Sequence, residues 1–288
     1  MRMHADQVDV TVVDARRLLP PELAGRPVRP VASGGTVNAV FRVRDDLALR
    51  VPLRPFGGDL REPAVLRALA PHLPVAIPRP YAHDAERGWT IQQWLPGVTP
   101  KSDGRGGRAL ADDLVAVLEA LWRVPTSGAV APARSLWPHP VVRAAIDAAA
   151  DELDATATLA AWERLSAAGP WRRPPVWVHG DLLPGNILLR GGRLVGLIDF
   201  AEAGVGDPAR DLMVFWHVLG RSDRAHVRRR LGLDDDTWHR GAAWALAQAL
   251  VALPYYRHTN PHMTASARYA IRAVLGDESG RVRRSSLP

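Results

Sequence analysis

The sequence predicts an α+β fold with a small strand-rich N-terminal lobe and a larger helical C-terminal lobe. Before Gly97, short alternating apolar runs are separated by turn residues, a pattern typical of strands. After Gly97, long runs rich in Ala and Leu have helical spacing. We therefore expect residues 1–97 to form the first lobe and residues 98–276 the second, with 277–288 as a mobile tail.

The elements of the first lobe follow in order. The opening segment ends in a helix that Pro20 and Pro21 stop. Two alternating runs joined at Gly34 and Gly35 indicate a hairpin. Three further elements are expected after it: a strand in DLALRVPL, a helix in LREPAVLRALAPHL and a strand in GWTIQQWLPG.

The second lobe is predicted to be helical, with short strands around one polar loop. The helical patterns are RALADDLVAVLEALWRV, VVRAAIDAAADELDATATLAAWERL and the segment from Thr237 to Leu253. Short strands are expected around HGDLLPGN and in LVGLIDF, and a Pro-rich connector covers VPTSGAVAPARSLWPHP.

Composition excludes several classes of site. The 288-residue chain has no cysteine, which excludes disulfides, thiolate nucleophiles and Cys-ligated zinc. We find no signal-peptide pattern, and the apolar run 241–256 is too short and too interrupted to span a membrane. The net charge of +7 comes from scattered arginines without an aromatic platform. We therefore expect a cytoplasmic protein, monomer or dimer, that binds neither nucleic acid nor membrane.

The stretch VHGDLLPGNILL carries the chemistry. His179, Asp181 and Asn186 lie in a loop between two apolar flanks that read as buried strands. Asp199 ends another apolar strand, 18 positions after Asp181. Two carboxylates and an amide at strand ends can meet at one point, and Mg²⁺ prefers such oxygen ligands together with substrate phosphates. The H-x-D-x-x-x-x-N spacing and the strand-end Asp match the phosphoryl-transfer pattern.

HGDLLPGNILL and GLIDFAEAGVGDPARDL together resemble the aminoglycoside phosphotransferase family of the protein-kinase-like superfold, over roughly residues 30–275. The resemblance implies transfer of the γ-phosphate of ATP, with GTP not excluded, to a hydroxyl of a small molecule that is often an antibiotic. It implies Asp181 as the catalytic base and Asn186 and Asp199 as Mg²⁺ ligands. His179 would buttress the loop. Two further acids, Asp207 and Asp211, would pin it through backbone hydrogen bonds.

The same resemblance assigns the nucleotide site to the first lobe. The implied phosphate-covering loop offers these residues: Ser33, Gly34, Gly35, Thr36 and Asn38. Arg50 stands where the family has a phosphate-binding lysine, since the only lysine of the chain is Lys101. Glu62 would pair with that cation, and the backbone of Gln93 and Leu95 would hold the adenine edge. An arginine keeps the charge, but its geometry differs from that of an ammonium.

The acceptor site is less well defined by the sequence. A polycationic antibiotic needs an acidic pocket, for which the candidates are Glu202, residues 234–236, Asp277 and Glu278. Each of these is also explained as surface or helix-end charge. We interpret four aromatic residues as part of the hydrophobic core: Trp216, Trp244, Tyr255 and Tyr256. A tuberactinomycin-type peptide or a macrolide therefore stays open as the acceptor.

Three functions are compatible with these residues. The first is an antibiotic phosphotransferase, and the second is a metabolite kinase of the same fold, related to choline, homoserine or sugar kinases. The third is a non-catalytic nucleotide-binding protein, suggested by the missing lysine. Turnover separates the third from the others, and the identity of the acceptor separates the first two.

Overall fold

The computed structural model of the protein describes residues 6–32, 35, 37–55, 60–127 and 133–285, with side chains as far as Ser279. Within these residues an antiparallel sheet is followed by a mostly helical part. The last strand of the sheet ends at Gln93, and the first long helix after it begins at Gly107.

The N-terminal part is a five-stranded antiparallel sheet in the order β1-β2-β3-β5-β4. Its elements are α1 (Val12–Arg17), β1 (Arg29–Pro30), β2 (Asn38–Arg44), β3 (Leu47–Pro52), α2 (Glu62–Leu69), β4 (Pro80–Asp84) and β5 (Trp89–Gln93). A small core that includes Phe41, Leu49 and Ile91 lies on one side of the sheet, under α1. The central strands β3 and β5 are the most buried strands of the sheet.

The C-terminal part is a helical bundle that carries two small strand pairs. The helices are α3 (Gly107–Arg123), α4 (His139–Ala148), α5 (Ala155–Ser166), α6 (Ala209–Leu212), α7 (Val214–Val218), α8 (Arg221–Arg230), α9 (Asp235–Tyr256) and α10 (Pro261–Ser285). The strands are β6 (Val176–Val178) paired with β9 (Gly204–Gly206), and β7 (Ile187–Arg190) paired with β8 (Arg193–Leu197). The apolar helix α9 is central and packs against α4, α5, α6 and α10.

Most predicted elements are present, with differences at their ends. The long helical pattern from Val141 to Leu165 is two helices, because the chain turns after α4 and Asp154 caps α5 through the N–H of Ala157. The strand β4 and the helix α10 were not predicted. β4 is half-exposed and lacks an apolar run, so its sequence resembles that of a loop.

The C-terminal segment 277–288 was expected to be a tail. In the structure α10 continues as far as Ser285. Asp277 accepts from Arg224 at 2.9 Å, and Glu278 pairs with Arg164 at 3.1 Å. The proposed boundary at residue 277 therefore lies inside α10.

The two parts of the chain meet at the polar loops that join β6 to β7 and β8 to β9. Gly97 leads from the sheet into the helical part, and a Cβ at this position would lie 2.8 Å from Cβ of Leu188 in β7. Among the helices described, none combines the length and the apolar character that crossing a membrane requires.

Candidate active site

The loop from His179 to Asn186 is held in place by a buried carboxylate. Asp211 in α6 accepts from the backbone N–H of His179 at 2.6 Å and from that of Gly180 at 2.8 Å. Both oxygens of this side chain are thus used by backbone donors. The geometry agrees with the pinning role that the resemblance implied for Asp211.

His179 is buried and neutral. Its Nδ1 accepts from the N–H of Asp181 at 3.2 Å, so Nε2 carries the proton and donates to the carbonyl of Ile198 at 3.1 Å. Burial lowers the pKa of His179, against the opposing charge of Asp211. The ring also lies against Phe200, with the ring centroids 4.4 Å apart. His179 therefore joins the loop to the end of β8 and has no free nitrogen for proton transfer.

Asp181 and Asn186 are direct neighbours. Asn186 Nδ2 donates to Asp181 Oδ2 at 3.0 Å and to the carbonyl of Asp181 at 2.7 Å. Burial raises the pKa of Asp181 to about 7, and the negative charge of Asp199 adds to this effect. The hydrogen bond from Asn186 opposes the shift. The amide nitrogen of Asn186 is used in these bonds, and its Oδ1 stays available to a cation.

Asp199 follows β8 and lies next to this pair. The N–H of Ile198 donates to the carbonyl of Asn186 at 3.0 Å, which connects the two loops. Asp199 has φ +66°, a left-handed conformation that is unusual for a residue with a side chain. Its Oδ1 accepts from Arg50 Nη2 at 2.7 Å. Such conformations persist where the surrounding structure enforces them, and they concentrate at functional sites.

Arg50 in β3 and Glu62 in α2 form a buried ion pair. Arg50 Nη1 donates to Glu62 Oε2 at 2.6 Å, and Glu62 Oε1 accepts from the N–H of Phe200 at 2.9 Å. Burial disfavours the charge of Arg50, but Glu62 and Asp199 outweigh that effect and hold its pKa above the usual value. Arg50 therefore stays charged and touches carboxylates from both parts of the molecule.

The donor set fits a magnesium ion that also has phosphate ligands. Asn186 and Asp199 lie on loops joined by the bond from the N–H of Ile198 to the carbonyl of Asn186, and their side chains offer hard oxygens of the kind that Mg²⁺ prefers. In the described part of the chain there is no group of three His, Cys, Asp or Glu side chains that could hold a metal without help. The missing ligands would have to come from a substrate, which is how Mg²⁺ is bound in phosphoryl-transfer sites.

Only some of the residues that we expect to bind the nucleotide are among the described residues. Ser33, Gly34 and Thr36 lie outside the described residues. Gly35 is exposed, and Asn38 begins β2, opposite Pro52.

Gln93 and Leu95, from which we expect adenine contacts, lie in a segment that already bonds to and packs against other parts of the protein. The N–H of Gln93 donates to the carbonyl of Arg79 at 2.8 Å, so this group already has a protein partner. Leu95 lies against β8, where a Cβ on Gly196 would be 3.3 Å from its Cδ1. A hydrogen bond from this segment to an adenine would therefore have to use backbone groups other than the N–H of Gln93.

Sequence reasoning missed several arginine–carboxylate pairs of the helical part. Arg210 Nη2 donates to Glu202 Oε2 at 3.1 Å, and Arg134 Nε lies 2.9 Å from the same oxygen. Arg240 pairs with Asp207 at 2.6 Å. The stretch GDPARDL contains Arg210, but nothing local in the sequence shows which carboxylate it meets.

These contacts define a class of protein. The site combines a loop Asp bonded to an Asn, a strand-end Asp and a buried cation–carboxylate pair. It lies at the junction of a sheet and a helical bundle. These are the parts of a protein-kinase-like phosphotransferase.

Solved structures share the fold. The GDP complex of wild-type aminoglycoside 2'-phosphotransferase-IIIa is 20% identical, with a TM-score of 0.66 over 90% of this chain and 95% of that one. The macrolide 2'-phosphotransferase type I is 23% identical, with a TM-score of 0.62 over 91% and 98%. The predicted α+β, protein-kinase-like fold is confirmed.

The family follows from the sequence match. The model of the phosphotransferase enzyme family matches residues 28–244, so the chain belongs to that family. An aminoglycoside 3'-phosphotransferase of Escherichia coli is 27% identical over 198 residues, which is 63% of this chain and 73% of the relative. The family expected from the catalytic-loop motifs is confirmed.

Proposed function

We propose that this protein transfers the γ-phosphate of a nucleoside triphosphate, ATP or GTP, to a hydroxyl of a small-molecule antibiotic and thereby confers resistance in the cytoplasm. The observation that carries the proposal is the direct bonding of Asp181 to Asn186 with Asp199 adjoining them. The relatives include proteins named for aminoglycosides and for macrolides, and their structures include GDP and ADP complexes.

In the proposed reaction Asp181 receives the proton of the acceptor hydroxyl as that oxygen bonds to the γ-phosphorus. The bond from phosphorus to the bridging oxygen breaks, and the nucleoside diphosphate leaves. Asn186 fixes the orientation of Asp181 through its two hydrogen bonds. Asn186 and Asp199 would hold Mg²⁺, which supplies neutralisation of phosphate charge when it is bound.

Arg50 takes the part of the usual lysine in this proposal. Its guanidinium has one nitrogen on Glu62 and another on Asp199. Bound phosphates would compete with Asp199 for the second nitrogen, while Glu62 keeps the side chain in place. The retained pair with Glu62 supports a working catalytic site over a non-catalytic nucleotide binder.

A small-metabolite kinase is the second candidate. It is favoured by the ion pairing of Glu202, an acid near Asp181 that a polycationic antibiotic would otherwise use.

The variant Asp181→Asn tests the catalytic role. We expect kcat to fall by a factor of about 10²–10⁴, because the proton acceptor is lost. The Kd for nucleotide should stay within about threefold, since the carboxylate of a general base is not used to bind phosphates. Steady-state kinetics and calorimetric titration with the nucleotide measure the two quantities.

Asp147→Asn is the matched control, because Asp147 is exposed on α4. It should keep the parent rate. If Asp181→Asn also kept the parent rate, Asp181 would lose its assigned role.

The acceptor is found by a protection screen. A sensitive host expressing the chain is challenged with aminoglycosides, tuberactinomycin-type peptides and macrolides. Protection that disappears with Asp181→Asn supports the antibiotic assignment. If no compound is protected against while the purified protein phosphorylates a metabolite, the second candidate replaces the first.

A further inference from the structure

The acidic groups beside Asp181 are neutralised by arginines. Glu202 is packed directly against the catalytic loop: a Cβ on Gly180 would lie 2.2 Å from the Glu202 carbonyl oxygen. The Glu202 carboxylate is bound by Arg210 at 3.1 Å and by Arg134 at 2.9 Å. One negative charge therefore faces two positive ones.

Arg210 is held beside Glu202 by its burial. It is 5% exposed, and its guanidinium carbon lies 5.2 Å from the ring centroid of Trp244. Its Nε and Nη1 have no hydrogen-bond partner among the described residues. A buried guanidinium with unpaired nitrogens attracts negative or carbonyl groups and repels cations.

The next acid along the chain is also paired. Asp207 Oδ2 accepts from Arg240 Nε at 2.6 Å, and the Arg240 side chain is 11% exposed. Asp207 Oδ1 accepts from the N–H of Ala209 at 2.9 Å, which fixes the turn into α6. Neither oxygen is left free for an amine of a ligand.

Four of the other acidic candidates have partners elsewhere. Asp277 binds Arg224, Glu278 binds Arg164, and Asp235 binds Arg228. Asp234 caps α9 through the N–H of Thr237, and Asp236 follows it in the first turn of that helix. The residues of the helical lobe outside the described ranges, 128–132 and 286–288, contain neither Asp nor Glu and so add no acidic side chain.

We propose that the acceptor at this site is a neutral or singly charged hydroxyl compound, and that Arg134 and Arg210, by neutralising Glu202, exclude polycations with three or more amines. The inference rests on the proposed phosphotransferase function and narrows its substrate class. A polycation would have to displace Arg134 from Glu202 and would still meet the buried charge of Arg210.

Arg134→Gln tests the proposal without disturbing the core, because the Arg134 side chain is 68% exposed. The binding of kanamycin, a polycation, and of a macrolide with one amine is measured by calorimetric titration with Mg²⁺ and a non-hydrolysable nucleotide present. In the parent protein we expect the macrolide to bind more tightly than kanamycin. In Arg134→Gln the affinity for kanamycin should rise about fivefold, because one opposing charge is gone. The affinity for the macrolide should change by less than about twofold.

Two variants control for charge and for ion-pair loss. Arg134→Lys keeps the positive charge and should bind kanamycin like the parent. Arg193→Gln breaks a comparable exposed pair, with Asp113, on β8 and should also leave kanamycin binding unchanged.

The outcomes separate this inference from the function on which it rests. Tighter binding of kanamycin than of the macrolide by the parent, or no gain in Arg134→Gln, overturns the inference. Efficient phosphorylation of kanamycin, ahead of every neutral or singly charged hydroxyl compound, also overturns it but leaves the phosphotransferase function standing. Gain of kanamycin affinity without any phosphate transfer supports the charge argument and counts against the proposed reaction.

Discussion

At the scale of single residues, the loop from His179 to Asn186 depends on one glycine. Gly180 has φ +81°, and an added Cβ would meet the Glu202 carbonyl oxygen at 2.2 Å. Residues with a side chain rarely adopt this conformation, and the contact is with backbone, which cannot move aside. Gly180 therefore allows Asp181 and Glu202 to come so close together.

Gly180→Ala should destabilise the fold by about 3 kcal/mol or more and should abolish activity, because strain and a backbone clash act together. Urea unfolding at pH 7 measures the change in the free energy of unfolding. Gly185→Ala is the control in the same loop, since Gly185 has no positive φ and no atom within 4 Å of an added Cβ. A loss of stability equal in the two variants would count against the close approach at Gly180.

At the scale of elements, α7 and α10 are joined by a buried histidine. His217 is 2% exposed, and its Nδ1 lies 2.9 Å from Ser266 Oγ in α10. Its Nε2 has no partner in the described part of the chain. Burial lowers the pKa of His217 to about 4.

The sign of the pH dependence follows from that shift. Between pH 6.5 and 4 the unfolded chain binds a proton at this histidine and the folded one does not, so stability falls as the pH is lowered through this window. The contribution of His217 between pH 8 and pH 5 is about 2 kcal/mol. It is fully present above pH 6.5.

His217→Gln should therefore flatten the dependence of unfolding free energy on pH over this range by about 2 kcal/mol, whatever its effect on stability at pH 8. Urea unfolding at pH 8 and pH 5 gives the difference. The exposed His72, changed in the same way, should leave the parent curve intact. An unchanged slope in His217→Gln would show that other groups carry the acid sensitivity.

At the scale of the whole molecule, one carboxylate connects the sheet to the helical part. Glu62 accepts from Arg50 in the sheet and from the N–H of Phe200, which follows Asp199. Arg50 reaches Asp199 as well. The lobes are thus tied together at the point where the proposed function places a triphosphate.

Glu62→Gln should lower the free energy of unfolding by about 3 kcal/mol, because it leaves the buried Arg50 with one carboxylate partner fewer. The Kd for nucleotide should rise, since Arg50 is then held only by Asp199, which Mg²⁺ also needs. Calorimetry with and without the nucleotide measures both. Glu86→Gln, an exposed change in the same lobe, should alter neither, and unchanged values in Glu62→Gln would remove Glu62 from the connection.

Sequence prediction succeeded where the information is local. The loop between two apolar strands and the Asp at the end of a third strand lie within about 20 consecutive residues. The spacing of Asp181 and Asn186 in that loop leads to their hydrogen bond. The helical pattern from Val141 to Leu165 did not reveal the break between α4 and α5, because the apolar spacing continues through the turn that Asp154 caps. β4 was missed because its pairing with β5, not its composition, makes it a strand.

The sequence by itself determined the fold class and the family, and it predicted which residues share the loop from His179 to Asn186. Tertiary structure decided their electrostatic surroundings. Arg50 and Asp199 are 149 positions apart in the chain and meet at 2.7 Å, and Arg134 meets Glu202 from another connector. The physical reason is that charge and burial depend on which distant segments pack together, while strand ends, turns and helical spacing are set by near neighbours.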